Sequence, residues 1–231
     1  MSMEPHEHAP APSPELLAKI RAMRPVTLRH PERQVVRVMA ASLLYAAAWL
    51  VGPATWIWGR ALRADLAQLP RAWLIGFGVM WLLGFAAPLC VAMLPRRGQV
   101  LHRVSAAAAA VWIALVVVGT TALLAQVAPG ASQIAVTRAQ LLSVTAQCTA
   151  ALLSIAVVPT TLALWALRRA IPIGWAAVAG AIGAAGGALG GLALHLHCPW
   201  AEPMHVLLGH AAPVALMAAI AAVIGYKVLA P

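Results

Sequence analysis

Six stretches of the chain are apolar almost without interruption, and short polar segments separate them. They cover residues 36–58, 72–94, 104–127, 141–167, 174–196 and 205–229. Each reaches the roughly 20 apolar residues that a helix needs to cross a bilayer. The pattern predicts an all-α, polytopic membrane protein with six transmembrane helices. Gln140 and Gln147 blur the start of the fourth stretch. Proline punctuates two spans: Pro53 is expected to bend the first and Pro159 the fourth.

The fifth stretch differs in kind. Gly183, Gly187 and Gly191 recur at every fourth residue, and Gly186 and Gly190 repeat the spacing one face away. Small residues four apart let helix backbones approach closely. This predicts a packing seam within the chain, and the same seam would serve a homodimer.

Residues 1–35 form a polar N-terminal segment ahead of the transmembrane domain at 36–231. The first thirteen residues have no apolar periodicity and are expected to be a solvated tail, with His6 and His8 as weak metal ligands at most. Ser13-Pro14-Glu15 then reads as a helix start: a capping serine, proline in the first turn, an acid beside it. A short amphipathic helix is predicted over 14–24. Its apolar face is Leu16, Leu17, Ile20 and Met23, and Lys19, Arg21 and Arg24 lie around the rest. Three turns are too few to persist alone in water, so the helix needs a partner protein, the lipid surface or the chain's own cytoplasmic loops.

Composition agrees with the pattern. The chain is 62% hydrophobic and 10% charged, against roughly 45–50% and about 25% for a soluble domain. A net charge of +10 would suggest nucleic acid in a soluble protein. Here it serves as an orientation signal, and no direct nucleic-acid contact is expected. Twelve of the 16 basic residues fall in the N-terminal segment, the second and fourth connections and the C-terminus. The other four are Arg60, Arg63, Arg71 and Arg138. By the positive-inside rule both termini are cytoplasmic. In a bacterium this is a multi-pass inner-membrane protein, with the first span as an uncleaved anchor.

That topology gathers chemistry at one outward tip. Cys148 falls near the outer end of the fourth span and Cys198 at the outer end of the fifth, whereas Cys90 lies toward the cytoplasm and reads as packing. His195, His197, His205 and His210 lie within sixteen residues around Cys198, and Glu202 adds an oxygen. Two thiols facing an oxidising compartment can form a disulfide. With imidazoles they can instead hold a soft or borderline ion of the zinc, cadmium or copper class. The HxHC spacing is no zinc-finger signature, so the histidines also admit a purely structural reading. No acid lies within a span, which argues against proton-coupled transport. No aqueous segment is large enough for an enzyme. Two other readings remain: a b-type haem held by His195 and His210, and a small-solute or metal transporter along the glycine-rich span.

The tip also carries a resemblance. The glycine- and alanine-rich fifth span running into Leu196-His197-Cys198-Pro199, the second cysteine in AQCTAALL, and Arg24-Pro25 ahead of span one resemble the NrsF-type inner-membrane proteins of bacteria. These are multi-span negative regulators of an extracytoplasmic-function sigma factor. The resemblance implies an anti-sigma factor that holds its partner through the cytoplasmic N-terminal segment. It implies that Cys148 and Cys198 sense metal or oxidative stress. Here the acid after the LHCP proline is delayed to Glu202.

Overall fold

The computed structural model describes residues 13–15, 31–59, 62–94, 100–124, 137–168, 174–200 and 202–229. Among them all regular structure is helical, in six long elements. Helix α1 begins at Pro31 and runs to Trp49, then through a widened π turn, Leu50–Ala54, into Thr55–Trp58. Next come α2 (Arg71–Met93), α3 (Val100–Leu124), α4 (Arg138–Leu167) and α5 (Trp175–His197). The last, α6, starts as Pro203–Val206, passes through a second π turn at Leu207–Ala211 and continues as Ala212–Leu229. Among the described residues, five of the six are long and apolar enough to cross a membrane.

Local chemistry sets the boundaries. Helix α1 opens five residues earlier than hydropathy alone predicts, because Pro31 suits a first turn and Glu32 complements the helix dipole there. Gly59, at φ 71°, closes it in the left-handed conformation. Pro53 has no N–H to donate and its ring crowds the preceding turn. The helix absorbs this by widening to a π turn, in which the Thr55 hydroxyl donates to the Leu50 carbonyl at 3.4 Å. Helix α4 opens on a capping box: the Gln140 N–H donates to Thr137 Oγ1 and the Thr137 N–H to Gln140 Oε1 at 3.0 Å. The glutamine that blurred the hydropathy pattern is thus part of the helix start.

Helix α5 is the axle of the bundle. Within its apolar window 89% of residues are buried, against at most 44% in α1, α2, α4 and α6. Its glycines explain how it can be surrounded. A methyl group at Gly187 would stand 2.8 Å from the Cα of Val214 on α6, and one at Gly183 would run into the Met217 carbonyl. On the next face, a methyl at Gly190 would stand 2.7 Å from the Leu152 carbonyl of α4. Gly191 lies against the Trp81 ring of α2. In lipid, helices associate through such close packing rather than through the hydrophobic effect. Each glycine face is occupied by a neighbour in the same chain, so the seam offers no glycine surface to a second copy.

One end of the axle is closed by the segment after α1. Arg63 donates its backbone N–H to the Leu196 carbonyl at 2.9 Å, satisfying one of the last carbonyls of α5. Its guanidinium grips Asp65 through two bonds of 2.6 and 2.7 Å and stands over the Trp73 ring. Arg63 turns inward, with only 5% of its side chain exposed. A bidentate carboxylate makes that burial tolerable.

Candidate functional site

The closed end of the bundle brings together side chains from α4, the α5 terminus and α6. Cys148 lies on the buried face of α4, and Cys198 caps the last turn of α5, its N–H bonded to the Leu194 carbonyl at 2.7 Å. The chain turns at Pro199 and re-enters at Glu202, whose carboxylate accepts the His205 N–H at 2.6 Å as the N-cap of α6. Pro203 occupies the first helical position, where its missing donor costs nothing. That cap fixes His205 at the start of the helix, where it is wholly buried.

The second π turn then decides where His210 points. In a regular α-helix, residues five apart stand about 140° apart around the axis. Between Leu207 and Ala211 the ladder widens, and the Ala212 N–H bonds to the Leu207 carbonyl five residues back. A π turn brings the fifth residue nearly under the first. The His205 and His210 rings accordingly meet edge to face, with centroids 5.2 Å apart.

The result is a compact donor set. The Cys148 thiol donates to the Cys198 sulfur at 3.7 Å, and that sulfur lies 3.3 Å from Nε2 of His205. One donor atom from each of Cys148, Cys198, His205 and His210 falls within 4.8 Å of the others, and all four residues are buried. Nδ1 of His205 is 3.1 Å from the Thr145 hydroxyl, one turn before Cys148 on α4. Nε2 of His210 is buried with no hydrogen-bond partner. Leaving such an atom unsatisfied costs about 1–3 kcal/mol. Just past the last turn of α5, the hydrogen bond with Cys148 draws the Cys198 thiol below its ordinary range. Burial opposes that pull.

His195 and His197 do not join this set. His195 faces α2, where its Nε2–H donates to the Leu74 carbonyl at 3.2 Å and its ring packs on Trp73 at 5.1 Å. His197 is buried near the same terminus, outside the donor cluster. Cys90 is half-buried on α2 and also stands apart from it. Gly183, Gly187 and Gly191 serve the packing already described. Leu16, Leu17, Lys19, Ile20, Arg21, Met23 and Arg24 lie outside the described residues, as do Arg96, Arg97 and Arg169. Thr145 and the two π turns are features that hydropathy did not single out. The one sequence signal for Thr145 is its place three residues before Cys148, on the same face of α4.

Two thiols and two imidazoles at this separation can do two things. They can close into a tetrahedral shell around a d10 ion, or the thiols can oxidise to a disulfide after a small approach. Comparison with known proteins adds one finding: the family model described as NrsF, negative regulator of sigma F, matches residues 21–230. No curated protein and no solved structure matches the chain.

Proposed function

The chain belongs to the NrsF family of negative regulators of sigma F, and on that premise we propose that it is an inner-membrane anti-sigma factor gated by a metal site at Cys148, Cys198, His205 and His210. In this reading six spans carry both termini in the cytoplasm. The N-terminal segment, residues 1–35, holds an extracytoplasmic-function sigma factor through Leu16, Leu17, Ile20 and Met23, with Lys19, Arg21 and Arg24 meeting acids on the partner. The donor cluster lies toward the periplasm, and its occupancy releases the sigma factor.

The observation that carries the sensing step is the buried cluster itself, four donor atoms within 4.8 Å. Soft sulfur with imidazole favours zinc, cadmium or copper over magnesium or calcium. Two thiolates neutralise a divalent ion, so the loaded site brings no net charge into a poorly solvated place. His210, whose Nε2 is buried without a hydrogen-bond partner, supplies one of the four donors. Shifting a two-state equilibrium from 1:99 to 99:1 takes about 5.5 kcal/mol of differential affinity, which a site whose four donors close on the ion in one state alone can draw from the about 10–16 kcal/mol of structural zinc sites.

The route to the other side is also supported. Cys148 rides on α4, and α4 packs along α1, where the Tyr45 hydroxyl donates to the Ser154 carbonyl at 3.2 Å. Helix α1 leads directly into the N-terminal segment. A pull on α4 at the cluster would therefore be felt where that segment enters the membrane.

Neither of the other readings gains such support. A haem between His195 and His210 would need His195 to leave Leu74 and Trp73. A transport path along α5 would need the glycine faces that α2, α4 and α6 fill.

Co-purification from the native host tests the proposal. A sigma factor should be retained by the full chain and by Cys148→Ser and Cys198→Ser, and Zn2+ or Cd2+ should release it from the wild type alone. Retention of no sigma factor, or release from the serine variants as well, would defeat it.

A further inference from the structure

Thr145 contacts neither thiol yet touches the one imidazole that bonds to a thiol. Its hydroxyl lies 3.1 Å from Nδ1 of His205, and the opposite ring nitrogen, Nε2, lies 3.3 Å from the Cys198 sulfur. Thr145 and Cys148 stand three residues apart on α4, so a single helix face supplies one sulfur and the group that meets the far side of the imidazole. The backbone around Gly209 packs onto both: a methyl there would lie 3.5 Å from the Thr145 carbonyl and from Cβ of Cys148. The ring itself has no exposed surface.

We propose that Thr145 is a positioning residue for the metal site, fixing His205 in the tautomer that keeps Nε2 free to bind the ion. This rests on the metal-binding reading above. A neutral imidazole carries one proton, and the partner of one nitrogen decides which form is present. A hydroxyl can accept the Nδ1 proton. Nε2 then keeps its lone pair, directed toward the space beside Cys198. Ligating histidines nearly always donate their second N–H to such a partner, which also holds the ring plane. His205 needs this more than a surface histidine does, because no water reaches it to replace the hydroxyl.

The test uses the full chain in detergent, with Zn2+ alone as the probe and Cd2+ for its thiolate charge-transfer band. Thr145→Val keeps the shape and removes the hydroxyl, and Thr145→Ser restores the hydroxyl. The valine variant should bind Zn2+ about 10–100-fold more weakly, and the serine variant should recover most of the loss. Nitrogen-15 NMR of the zinc-loaded wild type should show Nε2 of His205 metal-bound and Nδ1 protonated. Diamide, a two-electron thiol oxidant that takes up the two protons the thiols lose, should close the Cys148–Cys198 disulfide to the same final extent in wild type and Thr145→Val, which separates ring positioning from a damaged fold. Equal zinc affinity in wild type and Thr145→Val, or a wild-type His205 bound through Nδ1, would overturn the role of Thr145 and leave the metal site standing. A wild type that takes up neither ion would overturn both.

Discussion

The two pairs of histidines on either side of the Pro199 turn look alike in sequence and do opposite work. His195, at the end of α5, is spent on structure: its N–H secures the Leu74 carbonyl and its ring stacks on Trp73. His205 and His210, at the start of α6, face the two sulfurs. The helix ladder makes the difference. Positions 195 and 197 lie in a regular α-helix, where residues two apart stand about 200° apart, so they cannot both face one ion. Positions 205 and 210 would also diverge in a regular helix, but the π turn at Leu207–Ala211 realigns them. A bulge of this kind costs helix regularity, and here it brings two imidazoles to one side.

The largest effect should come from exchanging roles across that divide. His205→Ala and His210→Ala should each weaken Cd2+ binding by more than about 100-fold, beyond what losing an outer partner costs. His195→Ala should do the reverse: unchanged Cd2+ affinity, and a loss of about 1–3 kcal/mol from its hydrogen bond and ring contact. Titration of the cadmium–thiolate absorbance, paired with thermal unfolding, reads both. If His195→Ala lost the metal, the division between the two pairs would be wrong.

A smaller effect sharpens the same contrast. Glu202 caps α6 through the His205 N–H. Removing the cap as Glu202→Ala should cost about 1 kcal/mol of local order and so weaken metal binding by about fivefold. His195 and its contacts with α2 should be untouched, which the side-chain NMR signals of Trp73 can report.

Much of the fold was legible from hydropathy, because a lipid-exposed helix must be apolar along its whole length. The six helical segments and the glycine seam follow from that requirement. Their ends do not, because capping chemistry overrides hydropathy: Pro31 and the Thr137–Gln140 box extend α1 and α4 into polar sequence. The sequence brought Cys148 and Cys198 to one end through topology alone. It grouped His195 and His197 with them because nearness along the chain stood in for nearness in space. It missed Thr145, since a threonine in an apolar helix carries no mark until the ring it faces is known. The π turns were invisible for a further reason: widening a helix changes hydrogen-bond register without changing the hydropathy of the residues involved.

The central claim is that two sulfurs and two α6 imidazoles hold one ion. X-ray absorption of the zinc-loaded full chain measures that shell directly. The account predicts two sulfur neighbours at about 2.3 Å and two nitrogen neighbours at about 2.0–2.1 Å, with the nitrogens lost in the His205→Ala, His210→Ala double variant and kept in His195→Ala. A shell without sulfur, or one that the double variant leaves unchanged, would contradict it.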